Sequence, residues 1–237
     1  MKSKKQNSSA KVFYWLTKIL QFLAWPLAQF AFRFFGKLEI KGKENLKNLP
    51  EGIIIASNHY YEMDPILLRI VLPWFGKHAP MYYVARRKNL YSWKGWRSYV
   101  YSDLFFNIWG AYPAYKGTKN YAVSLKTFVD IFNMKRTVTI FPEGGIDIPI
   151  DELDINKVRG GLGYLAHVTG APVVPILIEG TLDASWGKLY RFKKKLRIHI
   201  GEPQYFEAIN PSPNVEKCKN TSKVIWESIL DLKNDHE

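Results

Sequence analysis

Residues 52–65 read Gly-Ile-Ile-Ile-Ala-Ser-Asn-His-Tyr-Tyr-Glu-Met-Asp-Pro, and this stretch is typical of a strand, a turn and a helix of an α/β domain. Its first part, Gly52–Ser57, is a short apolar and β-branched run, which is typical of a strand buried in a parallel sheet. Its last part, Asp64-Pro65, is a favourable start for an α-helix. The residues between them therefore predict a turn that carries polar side chains away from the carboxyl end of a strand.

Strands and helices alternate along the rest of the chain. The pattern predicts strands at Lys37–Lys41, Gly52–Ser57, Met81–Ala85, Thr137–Phe141, Pro172–Ile178 and Leu196–Ile200. It predicts helices at Asp64–Leu72, Tyr121–Phe132, Val158–Val168 and Val215–Leu232. This alternation favours a single α/β domain over residues 37–237, with a mostly parallel central sheet and helices on both faces.

The segment before residue 37 has a different composition. Residues 1–10 are polar and basic, which predicts a flexible tail. Residues 11–36 carry apolar side chains at helical spacing, and Pro26 interrupts the pattern because it lacks an N–H. We therefore expect two short amphipathic helices that join near Trp25-Pro26.

Three interpretations compete with a membrane-surface role for residues 11–36. A transmembrane helix needs about 20 mostly apolar residues, and Lys18, Gln21, Gln29 and Arg33 interrupt the run. A signal peptide would be followed by a small-residue cleavage site, and no clear one is present. A core helix that packs on its own domain is the third interpretation. Because aromatic residues and leucines lie opposite lysines and arginines, the pattern favours a helix pair that lies in the bilayer interface.

The composition limits the partners. The chain has 237 residues, of which 47% are hydrophobic, and a formal net charge of +13. This charge predicts an anionic partner such as a membrane surface, a nucleic acid or an acidic substrate. No recognised nucleic-acid motif is present, so we expect no nucleic acid. The single cysteine, Cys218, excludes an intramolecular disulfide and suits a reducing compartment.

His59 and Asp64 are the strongest candidates for catalysis. His59 follows a predicted strand directly, at the edge where open α/β sheets place their ligands. Histidine is the side chain that most often serves as a general base in enzymes. A tight turn could bring the Asp64 carboxylate to the other imidazole nitrogen. A structural histidine and an N-capping aspartate are the alternatives.

A second candidate motif is Phe141-Pro142-Glu143-Gly144-Gly145, which also follows a predicted buried strand. Proline and glycines indicate a turn whose backbone N–H groups can approach a ligand closely. Glu143 would then lie in the same crevice as His59 and accept hydrogen bonds from substrate hydroxyls. Backbone N–H groups near Gly144 or in the turn after His59 are candidates for stabilising an oxyanion.

The chain resembles the glycerophosphate and lysophospholipid acyltransferases, including the 1-acylglycerol-3-phosphate acyltransferases. The resemblance covers about residues 37 to 202 and rests on four blocks in order. They are Asn58-His59 with Asp64 as the His-x4-Asp block, Gly110–Gly117 (GAYPAYKG), Phe141-Pro142-Glu143-Gly144, and Val174-Pro175-Ile176. It implies that His59 and Asp64 are catalytic, and that Asn58, Lys116, Glu143 and Gly144 bind the acceptor.

Two blocks depart from the family pattern. Lys116 stands where arginine is common, and Gly145-Ile146-Asp147 replaces the usual Thr-Arg-Ser, so a basic residue is lost. Arg86 or Arg87 could supply a replacement phosphate contact, or both could belong to an exposed basic turn. Because of these departures, the sequence specifies the acyl acceptor less closely than it specifies the reaction.

The resemblance implies a membrane-associated enzyme at the cytoplasmic face. It would move an acyl group from acyl-CoA or an acyl carrier protein, as co-substrate and without a cofactor, to a lysophospholipid hydroxyl. Lysophosphatidic acid is the main expected acceptor, and another lysolipid, a glycolipid or an amino-lipid is the alternative. A hydrolase is the other enzymatic interpretation, although no Gly-x-Ser-x-Gly motif is present. A catalytically inactive membrane scaffold is the last alternative.

Overall fold

The computed structural model describes residues 3–85, 102–114, 120–144, 155, 158–181, 195–209 and 213–234. Within these ranges seven strands form one sheet in the order β1-β7-β6-β2-β5-β3-β4. The strands are β1 Glu39–Lys41, β2 Ile54–Ser57, β3 Met81–Ala85, β4 Ala111–Pro113, β5 Thr137–Ile140, β6 Val173–Glu179 and β7 Arg197–Ile200. All paired strands are parallel except β6 and β7.

Helices cover both faces of the sheet. They are α1 Ser3–Phe34, α2 Asp64–Val71, α3 Asp103–Ile108, α4 Tyr121–Ser124, α5 Lys126–Asn133, α6 Gly161–Thr169 and α7 Val215–Asn234, with a 3₁₀ turn at Lys43–Leu46. Residues of α5, α6 and α7 pack on one face, and residues of α1 and α2 pack on the other. The predicted single α/β domain with a mostly parallel sheet is therefore confirmed.

The central strand β2 shows why this sequence builds a sheet that is covered on both sides. Successive side chains of a strand point to opposite faces. Ile54 contributes to the core on the face of α5, α6 and α7, whereas Ile55 contributes to the core on the face of α1 and α2. Both side chains are almost completely buried, and each such burial stabilises the fold by about 1.5–3 kcal/mol.

The prediction of two N-terminal helices is wrong. One continuous helix, α1, runs from Ser3, inside the segment predicted as a tail, to Phe34, and Pro26 lies inside it. Proline leaves the carbonyl four residues earlier, that of Phe22, without its helical N–H donor. The indole Nε1 of Trp74 donates a 2.9 Å hydrogen bond to this carbonyl. A tertiary contact thus satisfies the group that the proline frees, and the helix continues.

Helix α1 presents two buried glutamines to the domain. Gln21 donates to the Met81 carbonyl and accepts from the Met81 N–H, and Gln29 donates to the carbonyl of Ile70. Its large apolar side chains instead face outward: Trp15, Leu16, Ile19, Leu23, Leu27, Phe30 and Phe34 are each at least 40% exposed. Among the described residues, no helix has the length and apolar content to cross a bilayer.

One strand and one α-helix of the described residues have no counterpart in the sequence interpretation. The strand β4 is three residues long and contains a proline, and the helix α3 has six residues. Both are too short for a periodic pattern to develop. β4 is an edge strand, where a proline costs less because fewer ladder hydrogen bonds are needed.

Candidate active site

The sheet brings the first and third motifs together. β2 leads into His59 and β5 leads into Pro142–Gly144, and these two strands are parallel neighbours with Ala56 opposite Ile140. Their carboxyl ends therefore meet at the same edge of the sheet. The contact between the two motifs is direct, because the main-chain N–H of His59 donates to Glu143 Oε1 at 3.4 Å.

His59 and Asp64 form a hydrogen-bonded pair. The imidazole Nδ1 lies 2.9 Å from Asp64 Oδ2. The same oxygen accepts the main-chain N–H groups of Tyr60 and Tyr61, each at 2.7 Å, so the turn wraps around the carboxylate. Asp64 is fully buried at the start of α2. Because Oδ2 presents an acceptor to the ring, Nδ1 carries the proton and Nε2 keeps the lone pair.

The imidazole ring of His59 stacks on an aromatic neighbour. Its centroid lies 4.1 Å from that of Phe141, and the two rings are 18° from parallel. The His59 side chain keeps 13% of its surface exposed. A restrained ring with a small accessible surface suits a group that must take a proton from a docked substrate.

Glu143 has an unusual ionisation. The carboxyl is 6% exposed, and Oε2 has no hydrogen-bond partner in the described part of the chain. Burial raises the pKa of Glu143 from its ordinary value of 4.5 to about 8, and the nearby Asp64 carboxylate raises it further while the His59 N–H opposes the change. At neutral pH Glu143 is therefore a carboxylic acid that can donate a hydrogen bond, and not only the acceptor that the sequence suggested.

Four of the described backbone N–H groups in the two turns, where oxyanion donors were expected, already have partners. His59 N donates to Glu143, and Tyr60 N and Tyr61 N donate to Asp64. Gly144 N donates to the carbonyl of Phe141 at 3.1 Å. These groups hold the two turns in shape, so the geometry does not support them as oxyanion donors.

Asn58 is placed to organise the sheet. Its side-chain amide donates to the carbonyl of Ile178 and accepts the N–H of the same residue, both at 2.8 Å. The residue is completely buried. This geometry does not support the predicted substrate contact, because no surface of Asn58 remains accessible, and it assigns Asn58 to fixing β2 against β6.

Gly144 lies in the turn as expected, and its backbone has a φ of +61°, which favours glycine. Three other predicted binding residues, Arg86, Arg87 and Lys116, lie outside the described residues. The fourth motif, Val174-Pro175-Ile176, lies in the buried strand β6 beside β2. That burial supports a core strand at this position.

Arg159 is a site residue that the sequence interpretation missed. A β-carbon on Gly144 would lie 2.7 Å from Arg159 Nε and 2.9 Å from Cζ, so the guanidinium group covers the glycine. The Arg159 N–H also donates to the carbonyl of Pro142 at 3.1 Å. The only signal in the sequence is an arginine before Gly160-Gly161, and nothing local relates it to a turn 15 residues earlier.

Comparison with known proteins agrees with this geometry. The model of the Acyltransferase family matches residues 37–179, which is more than half of the chain. The chain belongs to the acyltransferase family. This acyltransferase is 26% identical over 203 residues to the 1-acyl-sn-glycerol-3-phosphate acyltransferase of Bacillus subtilis (strain 168), an alignment that covers 84% of this chain and 89% of the relative.

A solved structure shares the fold of this acyltransferase. It is the crystal structure of the 1-acyl-sn-glycerophosphate (LPA) acyltransferase PlsC from Thermotoga maritima, with a TM-score of 0.56 and 18% sequence identity. The similarity covers 98% of each chain. The resemblance seen in the sequence is thereby confirmed, and the chain is an O-acyltransferase that is similar to 1-acyl-sn-glycerol-3-phosphate acyltransferases.

Proposed function

We propose that this acyltransferase moves a fatty acyl group from acyl-CoA or an acyl carrier protein to the free hydroxyl of 1-acyl-glycerol-3-phosphate, which yields phosphatidic acid. His59 is the general base, and Asp64 orients its ring. The observation that carries the proposal is the 2.9 Å hydrogen bond between His59 and Asp64 at the carboxyl edge of the sheet. It leaves the lone pair of Nε2 as the proton acceptor.

The proposed reaction has two steps. The acceptor oxygen attacks the thioester carbonyl carbon, the new C–O bond forms, and the hydroxyl proton moves to His59 Nε2. The tetrahedral intermediate then expels the thiolate as the C–S bond breaks, and the imidazolium returns its proton to sulfur. Asp64 stabilises the imidazolium between the two steps. No covalent acyl-enzyme is needed.

The choice of acceptor is supported by the relatives. The Bacillus subtilis relative is named for 1-acyl-sn-glycerol-3-phosphate, and its alignment covers most of both chains. One sequence feature favours another lysolipid, a glycolipid or an amino-lipid as the second candidate. Ile146 stands where the family usually has a basic residue, and a less basic pocket would relax the demand for a phosphate.

The function is tested with detergent-solubilised enzyme, labelled acyl-CoA and lysophosphatidic acid. We expect labelled phosphatidic acid from the wild type and a fall of more than about a hundredfold in His59→Ala. Asp64→Asn should lose a similar factor, because the amide N–H₂ would oppose the Nδ1 proton and favour the wrong tautomer. Equal rates for wild type and His59→Ala would remove His59 as the base.

A panel of acceptors separates the two candidate functions. Transfer to a glycolipid or amino-lipid that exceeds transfer to lysophosphatidic acid would favour the second. Release of free fatty acid without ester formation would point to a hydrolase instead. A parallel series with acyl carrier protein as donor identifies the co-substrate.

We also propose that the outward face of α1 attaches the enzyme to a membrane surface. Its exposed apolar side chains continue onto Phe75, which is 73% exposed and whose ring lies 5.3 Å from that of Phe22. Leu104 of α3, which packs beside α1, is 60% exposed. Single exposed apolar residues are ordinary, but this many large exposed apolar side chains along one helix and its neighbours are typical of an interaction site.

The charge of the molecule supports a lipid bilayer as the partner of this face. Exposed basic residues border it, at Lys18, Arg33, Lys37 and Lys77. Aromatic and leucine side chains beside lysines and arginines are typical of segments that enter the headgroup region. Each basic residue near an anionic surface contributes about 1 kcal/mol. We assign the attachment to the cytoplasmic face, where anionic lipids and acyl donors occur together.

A further inference from the structure

Arg159 has a backbone that the fold holds in place. Its N–H donates to the Pro142 carbonyl, which ties it to the turn after β5. Val158 before it is buried, and a β-carbon at Gly160 after it would meet the Tyr121 hydroxyl at 2.7 Å and the Lys219 main-chain nitrogen at 3.1 Å. The position from which the side chain starts is therefore fixed before any substrate binds.

The side chain of Arg159 then lies across the active-site turn. Its Nε, Cδ and Cζ atoms occupy the space that any β-carbon on Gly144 would need. Gly144 follows Glu143, whose Oε1 accepts the His59 N–H. The guanidinium group thus lies against Gly144, the residue that follows this direct partner of the His59 main chain. A side chain at residue 144 would displace it.

Among the residues that the structure describes, no carboxylate pairs with the positive charge of Arg159. The residue is exposed, and no ion pair to it is formed within the described part of the chain. The two acidic groups of the site do not compensate it. Asp64 is buried behind the turn with its Oδ2 fully used, and Glu143 keeps its proton at neutral pH. An anion that docks at the turn beside Gly144 therefore meets a cation that no described carboxylate pairs.

We propose that Arg159 binds the phosphate monoester of the acyl acceptor. This inference rests on the proposed function and names the group that recognises its substrate. A guanidinium group presents a planar fork that can donate two parallel hydrogen bonds to phosphate oxygens. Because Arg159 lies over Gly144, it anchors the headgroup at the mouth of the crevice while the free hydroxyl reaches His59. It also supplies the basic residue that the sequence lacks at Ile146.

The kinetic test uses the full-length enzyme in detergent micelles. We compare lysophosphatidic acid with a monoacylglycerol of the same acyl chain, which lacks the phosphate. Arg159→Gln should raise the KM for lysophosphatidic acid about 10- to 100-fold and should lower the preference for the phosphorylated acceptor by a similar factor. Arg159→Lys keeps the charge but loses the fork, so it should lie between the wild type and Arg159→Gln.

The matched control is Lys47→Gln, which removes one exposed positive charge near the opposite edge of the sheet. Its KM for lysophosphatidic acid should equal that of the wild type. Three outcomes would overturn the proposal: a fall in kcat without a change in KM, a rise in the KM for acyl-CoA alone, or equal effects of Arg159→Gln and Lys47→Gln. The first would place the guanidinium at the reacting atoms, and the second would assign it to the phosphates of the donor.

A direct binding measurement separates this inference from the proposed reaction. Glycerol 3-phosphate carries the headgroup without an acyl chain, and its affinity can be measured by ³¹P NMR titration at low salt. We expect the affinity to fall at least about tenfold in Arg159→Gln and to be unchanged in Lys47→Gln. Equal affinities for wild type and Arg159→Gln would refute the phosphate site, even if acyl transfer is observed. A tenfold loss would support it even if another acyl acceptor is found.

Discussion

Replacing Glu143 by glutamine should change how the stability of the enzyme depends on pH. In the folded protein burial raises the pKa of Glu143 to about 8, whereas the unfolded chain returns it to about 4.5. Between these values the folded protein holds a proton that the unfolded chain has released. Unfolding is therefore favoured as the pH rises through this window, and the loss of stability stops above about pH 8.

The size of the effect follows from the proton balance. A group that is protonated only in the folded state lowers the free energy of unfolding by about 1.4 kcal/mol for each unit of rising pH. From pH 5.5 to pH 7.5 the contribution of Glu143 should fall by about 2–3 kcal/mol. Glutamine keeps the shape and the oxygen that accepts the His59 N–H, and it does not titrate. The difference in stability between Glu143→Gln and wild type should therefore grow by that amount.

Urea unfolding followed by tryptophan fluorescence at a series of pH values measures this difference. In thermal unfolding the same change corresponds to a shift of roughly 5 to 10 °C in the variant relative to the wild type. The control is Glu227→Gln, a matched change at an exposed position of α7, whose difference from wild type should not vary with pH in this way. A difference for Glu143→Gln that stays constant from pH 5.5 to 7.5 would refute the reasoning, because Glu143 would then ionise normally in the folded protein.

Two further predictions concern packing and membrane attachment. Gly163→Ala should destabilise the fold by about 3 kcal/mol or more, because its β-carbon would lie 2.1 Å from the Cys218 carbonyl oxygen. Gly161→Ala has room for the β-carbon and should stabilise α6 by about 0.5–1 kcal/mol. Chemical denaturation measures both changes, and equal effects would contradict the packing. Leu27 is 73% exposed on α1, and Leu27→Glu should lower co-flotation of the enzyme with vesicles of phosphatidylcholine and phosphatidylglycerol several-fold. The control Val224→Glu on α7 should leave co-flotation unchanged, and an equal loss in the two variants would argue against α1 as the membrane face.

The pairing of His59 with Asp64 could be predicted because the necessary information is local. Five residues separate them, and the strand before and the helix after them restrict the turn that can connect the two elements. The main-chain groups of Tyr60 and Tyr61 then complete the contact by donating to the same carboxylate oxygen. Short-range hydrogen bonds of this kind leave a visible pattern of residue types.

Asn58 and Arg159 show where such patterns fail. Asn58 stands beside His59 in sequence, but its amide pairs with Ile178, 120 residues away. Arg159 has no motif around it, but its guanidinium covers Gly144. Both outcomes depend on which strands and loops become neighbours in space, and residue type alone does not contain that information.

The N-terminal helix shows most clearly the difference between local sequence patterns and contacts between residues that are distant in the chain. Residue types alone predict that residues 11–36 are amphipathic, that β-branched runs form a buried parallel sheet, and that a histidine and an aspartate follow its central strand, because periodicity and backbone preference act locally. The continuation of α1 through Pro26 depends on a contact that is distant in sequence, because the donor that replaces the missing N–H is the indole of Trp74. The tertiary structure also decided that Gln21 and Gln29 face the domain, since their partners are main-chain groups of strands and helices distant in the chain, and this leaves the apolar side of the helix exposed.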